Sequence, residues 1–322
     1  MTVDKDGVDL GKVKTVPFKE ISRKVSVGNF ARPLETDSKV EDFFASLPTV
    51  LSATNLRELQ TRILEARANE KTVISMMGAH VIKCGLSPIL ADLMRRKIIT
   101  AIAMNGAGAI HDFEIALFGE TSEEVEDGLL KGTFGMSEET GSAMNRVIKD
   151  AAERGSGLGQ ALGEFILEEK MKYAEYSLLA EAVKTGIPLT VHVAIGTDVI
   201  HQHPTCDGGA IGSTTYEDFR LFCGVVSGLQ GGVVLNLGSA VLLPEVFLKA
   251  LCVARNLGHD ISDFTSADFD MIRHYRPGKN VVERPTIKGG RGYSFTGHHE
   301  IMIPLLSAGL VERSLDKEKN RD

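Results

Sequence analysis

Residues 231–251, GGVVLNLGSAVLLPEVFLKAL, decide how the chain is read. Val233 to Leu237 form a short uncharged run of the kind that makes a strand buried on both faces. Gly238, Ser239 and Ala240 then make a turn of small residues, and the apolar spacing from Leu242 to Leu251 predicts a helix. A buried strand, a small-residue turn and a helix together form the repeating unit of a parallel α/β sheet. Ligands bind at such junctions. Yet from Gly238 to Leu243 only Ser239 carries a functional group.

The same pattern recurs on both sides. TVISMM (72–77), ITAIAM (99–104) and IPLTVHVAI (187–195) read as further buried strands, and DFTSADF (263–269) as a fifth. Helical patterns separate them. LSPILADLMRRK (86–97) has Pro88 in its first turn, where a missing N–H costs little. SEETGSAMNRVIKDAAERG (137–155) and LGQALGEFILEEKMKYAEYSLLAEAVKTG (158–186) each stop at a glycine, and TTYEDFRLFCGVVSGL (214–229) follows. Strands alternating with helices predict an α/β fold with a doubly wound, mostly parallel sheet and helices on both faces.

Upstream, ATNLRELQTRILEARAN (53–69) aligns Leu56, Leu59, Ile63 and Leu64 on one face, and residues 36–70 read as helical. Residues 1–35 are polar and aperiodic, and predict an arm laid across the surface or onto a neighbouring subunit. Residues 36–315 read as one domain, with 120–160 a helical excursion from it, and 316–322 as a charged tail.

A net charge of −7 over 322 residues argues against nucleic acid as a partner, which wants a basic face. No apolar run reaches membrane-spanning length, and MTVDKDGVDLGK has no apolar signal core, so a cytoplasmic protein without a membrane partner is expected. Cys84, Cys206, Cys223 and Cys252 are scattered and read as reduced thiols.

Ligands of an open parallel sheet bind beyond the carboxyl ends of its strands. Those positions carry GAHVIKCG (78–85), NGAGAIHD (105–112), GTDVIHQHPTCDGG (196–209) and LGSAVLL (237–243). Small residues there let a flat or phosphorylated ligand approach the backbone, so the four junctions together predict a dinucleotide-sized crevice. His201 and His203 share a face if their segment is extended. No Glu-rich or Cys-rich set accompanies them, so no metal site is assigned. Packing, substrate contact and acid–base work stay open for them. RPGKN (276–280) and IKGGRGYSFTG (287–297) read as basic loops, either solvated or bringing Arg273, Arg276, Lys288 or Arg291 to an anion.

Residues 78–119 resemble the corresponding region of deoxyhypusine synthases: a small-residue loop, a helix ending in a basic pair, a buried strand and a glycine-rich turn ending in His-Asp. TYEDFRLFCGVVSGLQGGVVLNLGSA (215–240), ADFD (267–270) and GHHEIMIPLL (297–306) follow in family order, and the resemblance covers about residues 40 to 315. It implies a Rossmann-like sheet with NAD at the strand ends, in a homotetramer with sites between subunits. The family moves a hydride from spermidine to NAD, and passes an aminobutyl group through a lysine imine to a lysine of a translation factor. Cofactor contacts implied by position are Gly85, Asn105, Gly106, Gly108, Asp198, Gly238, Ser266 and Ala267.

Departures from the family pattern accompany this. The resemblance puts the imine-forming lysine at Leu243, and the chain has no tryptophan to hold a polyamine. His298 stands where a late cofactor-contacting aspartate is implied. The expectation is therefore an NAD-linked transferase or oxidoreductase acting on an amine or related small molecule, and not a true deoxyhypusine synthase. Its catalytic groups are expected to be His111, His203 and His298, and its substrate contacts Asp112 and Arg273. A non-catalytic nucleotide-binding scaffold and a metal-assisted hydrolase are the alternatives.

Overall fold

The structure, a computed structural model, describes residues 7–319, with side chains as far as Ser314. The chain forms two compact units, one ending at Thr54 and one starting at Asn55. The first begins with three single 3-10 turns, Leu10–Lys12, Phe18–Glu20 and Val27–Asn29. Asn29 ties this extended stretch to its own unit by donating to Thr49 Oγ1 at 2.9 Å. Helix α1 (Val40–Ser46) follows, and α2 (Leu51–Ala68) runs on into the second unit. The helical reading of 36–70 thus resolves into two helices, and Pro48 lies in the gap, where it has no N–H for a helical ladder. Of the expected tail, 316–319 close the last helix, and 320–322 lie outside the described residues.

The second unit is built on six parallel strands: β1 (Val73–Met77), β2 (Ala101–Asn105), β3 (Leu189–His192), β4 (Val233–Leu237), β5 (Thr265–Asp270) and β6 (Arg291–Thr296). Their order is β3-β2-β1-β4-β5-β6, with Ile74 paired to Ala101 on one side and Val234 on the other. This is the doubly wound Rossmann-like arrangement, in which the direction of winding reverses between β1 and β4.

After β1 come α3 (His80–Lys83) and α4 (Ser87–Arg95). After β2 come α5 (Gly106–Phe118), α6 (Val125–Lys131), α7 (Glu138–Arg154), α8 (Leu158–Glu168) and α9 (Leu178–Thr185). Helices α10 (Gly208–Ser227) and α11 (Leu242–Asn256) flank β4 in sequence. A short turn α12 (Tyr275–Pro277), a π-helical turn at Gly278–Glu283 and α13 (His299–Lys319) complete the unit. On one face Ile74, Met76 and Val234 pack against Phe222 and Val226 of α10 and Leu243, Phe247 and Leu251 of α11.

Three further expectations change, the first being RPGKN (276–280), which lies in α12 and the π-helical turn and not in a loop. The stretch 287–297 is a loop only as far as 290: β6 pairs with β5 from Arg291 to Thr296, and Tyr293 and Phe295 are its buried side chains. The single helical pattern over 158–186 is two helices, α8 and α9, joined through a reversal at Lys170, which has a left-handed φ of 50°. The four cysteines are free, and no described helix is long and apolar enough to cross a membrane.

Candidate functional site

From the reversal between β1 and β4 out to β6 the sheet ladder continues one residue past β1, β4 and β6. Gly78 donates to Leu237 O (3.0 Å), Gly238 to Phe269 O (2.9 Å) and Gly297 to Asp270 O (3.0 Å). Gly238 has φ +71°, and His299 covers it so closely that a β-carbon there would lie 2.4 Å from His299 Nε2. His299 is 1% exposed, its Nδ1 has no partner, and its ring centre is 5.9 Å from that of His80. Burial lowers its pKa against the pull of Asp270. Asn236 donates to Asp268 Oδ1 at 2.7 Å, and burial pushes the Asp268 carboxyl up to about 6. Asp270 closes β5 with Oδ2 buried and not hydrogen-bonded, 3.8 Å from His274 Nε2. His80, Asn236, Asp268, Asp270 and His299 therefore converge at the switch point, and sequence reasoning picked out none of them. The paired histidines of GHH were the available signal, because the first residue of a helix that follows a sheet strand faces the sheet edge.

One strand over, the α5 N-terminus gathers four of the expected residues. Asn105 caps it by accepting from Gly108 N at 3.0 Å. The Asp198 carboxylate accepts from Ala107 N–H and lies against Gly106, where a β-carbon would be 1.9 Å from Oδ2. A side-chain carboxylate thus holds the positive end of the helix that a phosphate was expected to meet. Burial pushes Asp198 up to about 6 even though Thr197 and Ala107 hydrogen-bond to it. His201 accepts from the backbone N–H groups of Gly196 and Asp198 through Nδ1, so its proton sits on Nε2, 3.9 Å from Asp198 Oδ2.

Beside this lies a cavity of about 770 Å³, walled by Lys83, α5, the segment from Glu120 to Ser137, and Thr197 to Val199. His111, Glu114, Thr121 and Thr140 line it and are joined by hydrogen bonds. Glu114, Glu120, Glu123 and Asp198 outnumber the basic groups Lys83 and His111 around it.

The other expected residues lie elsewhere. His203 donates from Nε2 to Gly135 O at 2.8 Å and packs on Gly141, so it braces the outer wall of the cavity. Asp112 is wholly buried and accepts from Ser177 Oγ, Leu178 N and Leu179 N, which makes it the anchor of the α9 N-terminus. Burial pushes its pKa up to about 6. Ser266 and Ala267 are fully buried within β5, short of its carboxyl end. Gly85 ends the α3 turn at φ +72° with open space around it. His298 and Arg273 are exposed on loops. Leu243 sits in the core at 0% exposure, so the position that the resemblance gives to a reactive lysine faces apolar side chains and no ligand edge. Among the described residues no group of three or more His, Cys, Asp or Glu side chains could hold a metal, so the metal-assisted alternative finds no ligand set there.

No protein-family model matches the sequence, and no curated protein does. Solved structures share its fold. A proposed deoxyhypusine synthase from Entamoeba histolytica matches with a TM-score of 0.52 at 13% identity, over 88% of this chain and 96% of that one. Unliganded AgrE gives 0.53 at 14% identity, over 83% of this chain and 34% of its own. The ternary complex of AgrE with ornithine and NAD+ gives 0.52 at 16%, over 84% and 35%. This chain therefore spans about a third of the length of AgrE. At these identities the likeness is one of fold.

Proposed function

We propose that the chain is an NAD-linked enzyme, a transferase or oxidoreductase whose substrate is an amine or related small molecule, working as a homotetramer with sites between subunits. The observation that carries this reading is the strand order, with buried polar groups left unpaired where the winding reverses. His299 Nδ1 and Asp270 Oδ2 are both buried there without a hydrogen bond, Asp270 Oδ2 having only His274 Nε2 at 3.8 Å beside it. Such atoms are costly unless something pairs with them, and a dinucleotide offers ribose hydroxyls and a carboxamide. The left-handed turn at Gly238 fits the same reading, whereas the α5 N-terminus, held by Asp198, does not fit a phosphate. AgrE, of the same fold, has been seen with ornithine and NAD+, which adds support for an amine substrate and this cofactor.

Bound NAD would supply a hydride acceptor. The protein's own part is to bind and orient a cation and to move a proton. The acidic lining of the cavity attracts an ammonium group, and His111 is the proton-transfer group among the residues expected from sequence. Titration calorimetry should show NAD binding to the full chain, followed by NADH absorbance with one or more of a panel of di- and polyamines and ornithine-like amino acids. Absence of NAD and NADP binding at millimolar concentration defeats this reading and favours a scaffold.

A further inference from the structure

Along the cavity wall the direction of each hydrogen bond is dictated by chemistry. Glu114 accepts from Thr121 Oγ1 at one oxygen and from Thr140 Oγ1, at 3.3 Å, at the other. Burial raises the Glu114 carboxyl, but its interactions with His111, Thr121 and Thr140 outweigh this and hold it below its ordinary value. An ionised carboxylate only accepts. Thr121 has one hydroxyl proton and gives it to Glu114, so toward His111 its oxygen can only accept. His111 Nδ1, 2.6 Å from that oxygen, must be the donor. The proton of a neutral His111 ring is therefore fixed on Nδ1. The other nitrogen, Nε2, keeps its lone pair and takes part in no described hydrogen bond, on a ring that lines the cavity.

The backbone is bent to make this chain. Helix α5 stops at Gly119 with φ +78°, and Ser122, which is not a glycine, has φ +71°. A left-handed serine is an uncommon and unfavourable conformation. Here it flanks the residue that turns back over α5 to reach His111 and Glu114.

We propose that Thr121 and Glu114 are positioning residues that hold His111 in one tautomer, making Nε2 a proton-accepting group that faces the cavity. The ligand it serves carries an N–H or O–H. That bond breaks, its electron pair stays on the ligand heteroatom, and the proton moves to Nε2. The imidazolium so formed is neutralised by the Glu114 carboxylate, whose Oε2 lies 3.7 Å from His111 Nδ1 and is joined to it through Thr121. This deepens the reading of the cavity as a substrate site and rests on it, but needs no cofactor.

The test uses the full chain labelled with 15N-histidine, at a pH where the rings are neutral, with His111 assigned by comparison with His111→Gln. Long-range proton–nitrogen correlation should find the proton on Nδ1 in the wild type. Thr121→Val, which keeps the shape and loses the oxygen, should move it to Nε2, and Thr121→Ser should return it to Nδ1. In parallel, diethyl pyrocarbonate should acylate His111 at Nε2, severalfold faster in the wild type than in Thr121→Val, as read by peptide mass spectrometry. A proton on Nε2 in the wild type, a tautomer indifferent to Thr121→Val, or a His111 inert to the reagent would each overturn the proposal. Neither measurement involves NAD, so failure of the cofactor reading and failure of the relay are seen separately.

Discussion

A β-carbon on Gly106 would fall 1.9 Å from Asp198 Oδ2, so any larger residue there drives the carboxylate off the α5 N-terminus. Gly106→Ala should cost about 1–3 kcal/mol in urea unfolding, the range for overpacking a well-filled place. In an Asp198→Ala background the same change should be neutral or stabilising, because alanine is the better helix former once the clash is gone. Equal losses in both backgrounds would show that Asp198 is not what limits residue 106. The glycines at 106 and 238 were legible as places of close approach. What approaches was not: the neighbours are the chain's own Asp198 and His299, brought from distant positions by the fold. Leu243 teaches the same lesson, since its helical phase relative to the core decides whether it meets ligand or protein.

Among the elements, β3, α8 and α10 are joined by one carboxyl group. Asp218 Oδ2, on α10, accepts from Gly159 N at 2.9 Å and from Val191 N at 2.8 Å, while Oδ1 has no partner. Burial pushes the group up to about 7 against backbone hydrogen bonds from Val191, Gly159 and Leu158. A carboxyl whose folded pKa lies above its unfolded one contributes stability that is complete below the unfolded value and lost as pH rises through the folded one. The window here runs from the ordinary aspartate range to about 7. The stability advantage of wild type over Asp218→Asn should therefore be larger at about pH 5 than at about pH 8, measured by chemical denaturation. An advantage that grows with pH would show that the folded protein holds Asp218 charged. His192 acts oppositely: burial pulls it down to about 3, so its contribution is present above the ordinary histidine pKa and lost on acidification. Comparing wild type with the Asp218 variant cancels that background. Strands β1, β2 and β4 were legible because both their faces are apolar. Strand β6 was not, because an edge strand with Arg291, Gly292 and Thr296 exposed has the composition of a loop.

For the whole molecule, alternating strands and helices announced a doubly wound sheet, but nothing local to any strand sets the order β3-β2-β1-β4-β5-β6. That order comes from right-handed crossovers choosing between the two edges of β1, a property of the assembled sheet. Assembly beyond one chain has its own signal. Val8, Leu10, Phe18, Val27 and Phe30 are exposed along the N-terminal stretch. A sustained series of this kind is what a contact between subunits covers, whereas scattered exposed residues are ordinary. Around the switch-point edge Val241, Met271, Ile272, Tyr275 and Ile301 are exposed as well. A homotetramer would cover such surfaces, and light scattering should return about four times the 34.8 kDa of one chain. Deleting residues 1–35 should lower that mass while circular dichroism keeps its α/β signature, because every strand among the described residues lies beyond Thr54. A full-length mass near 34.8 kDa would remove the tetramer, and with it any site shared between subunits. An unchanged tetramer after deletion would instead assign the contact to the exposed edge of the second unit, where NAD binding would then be expected to depend on protein concentration.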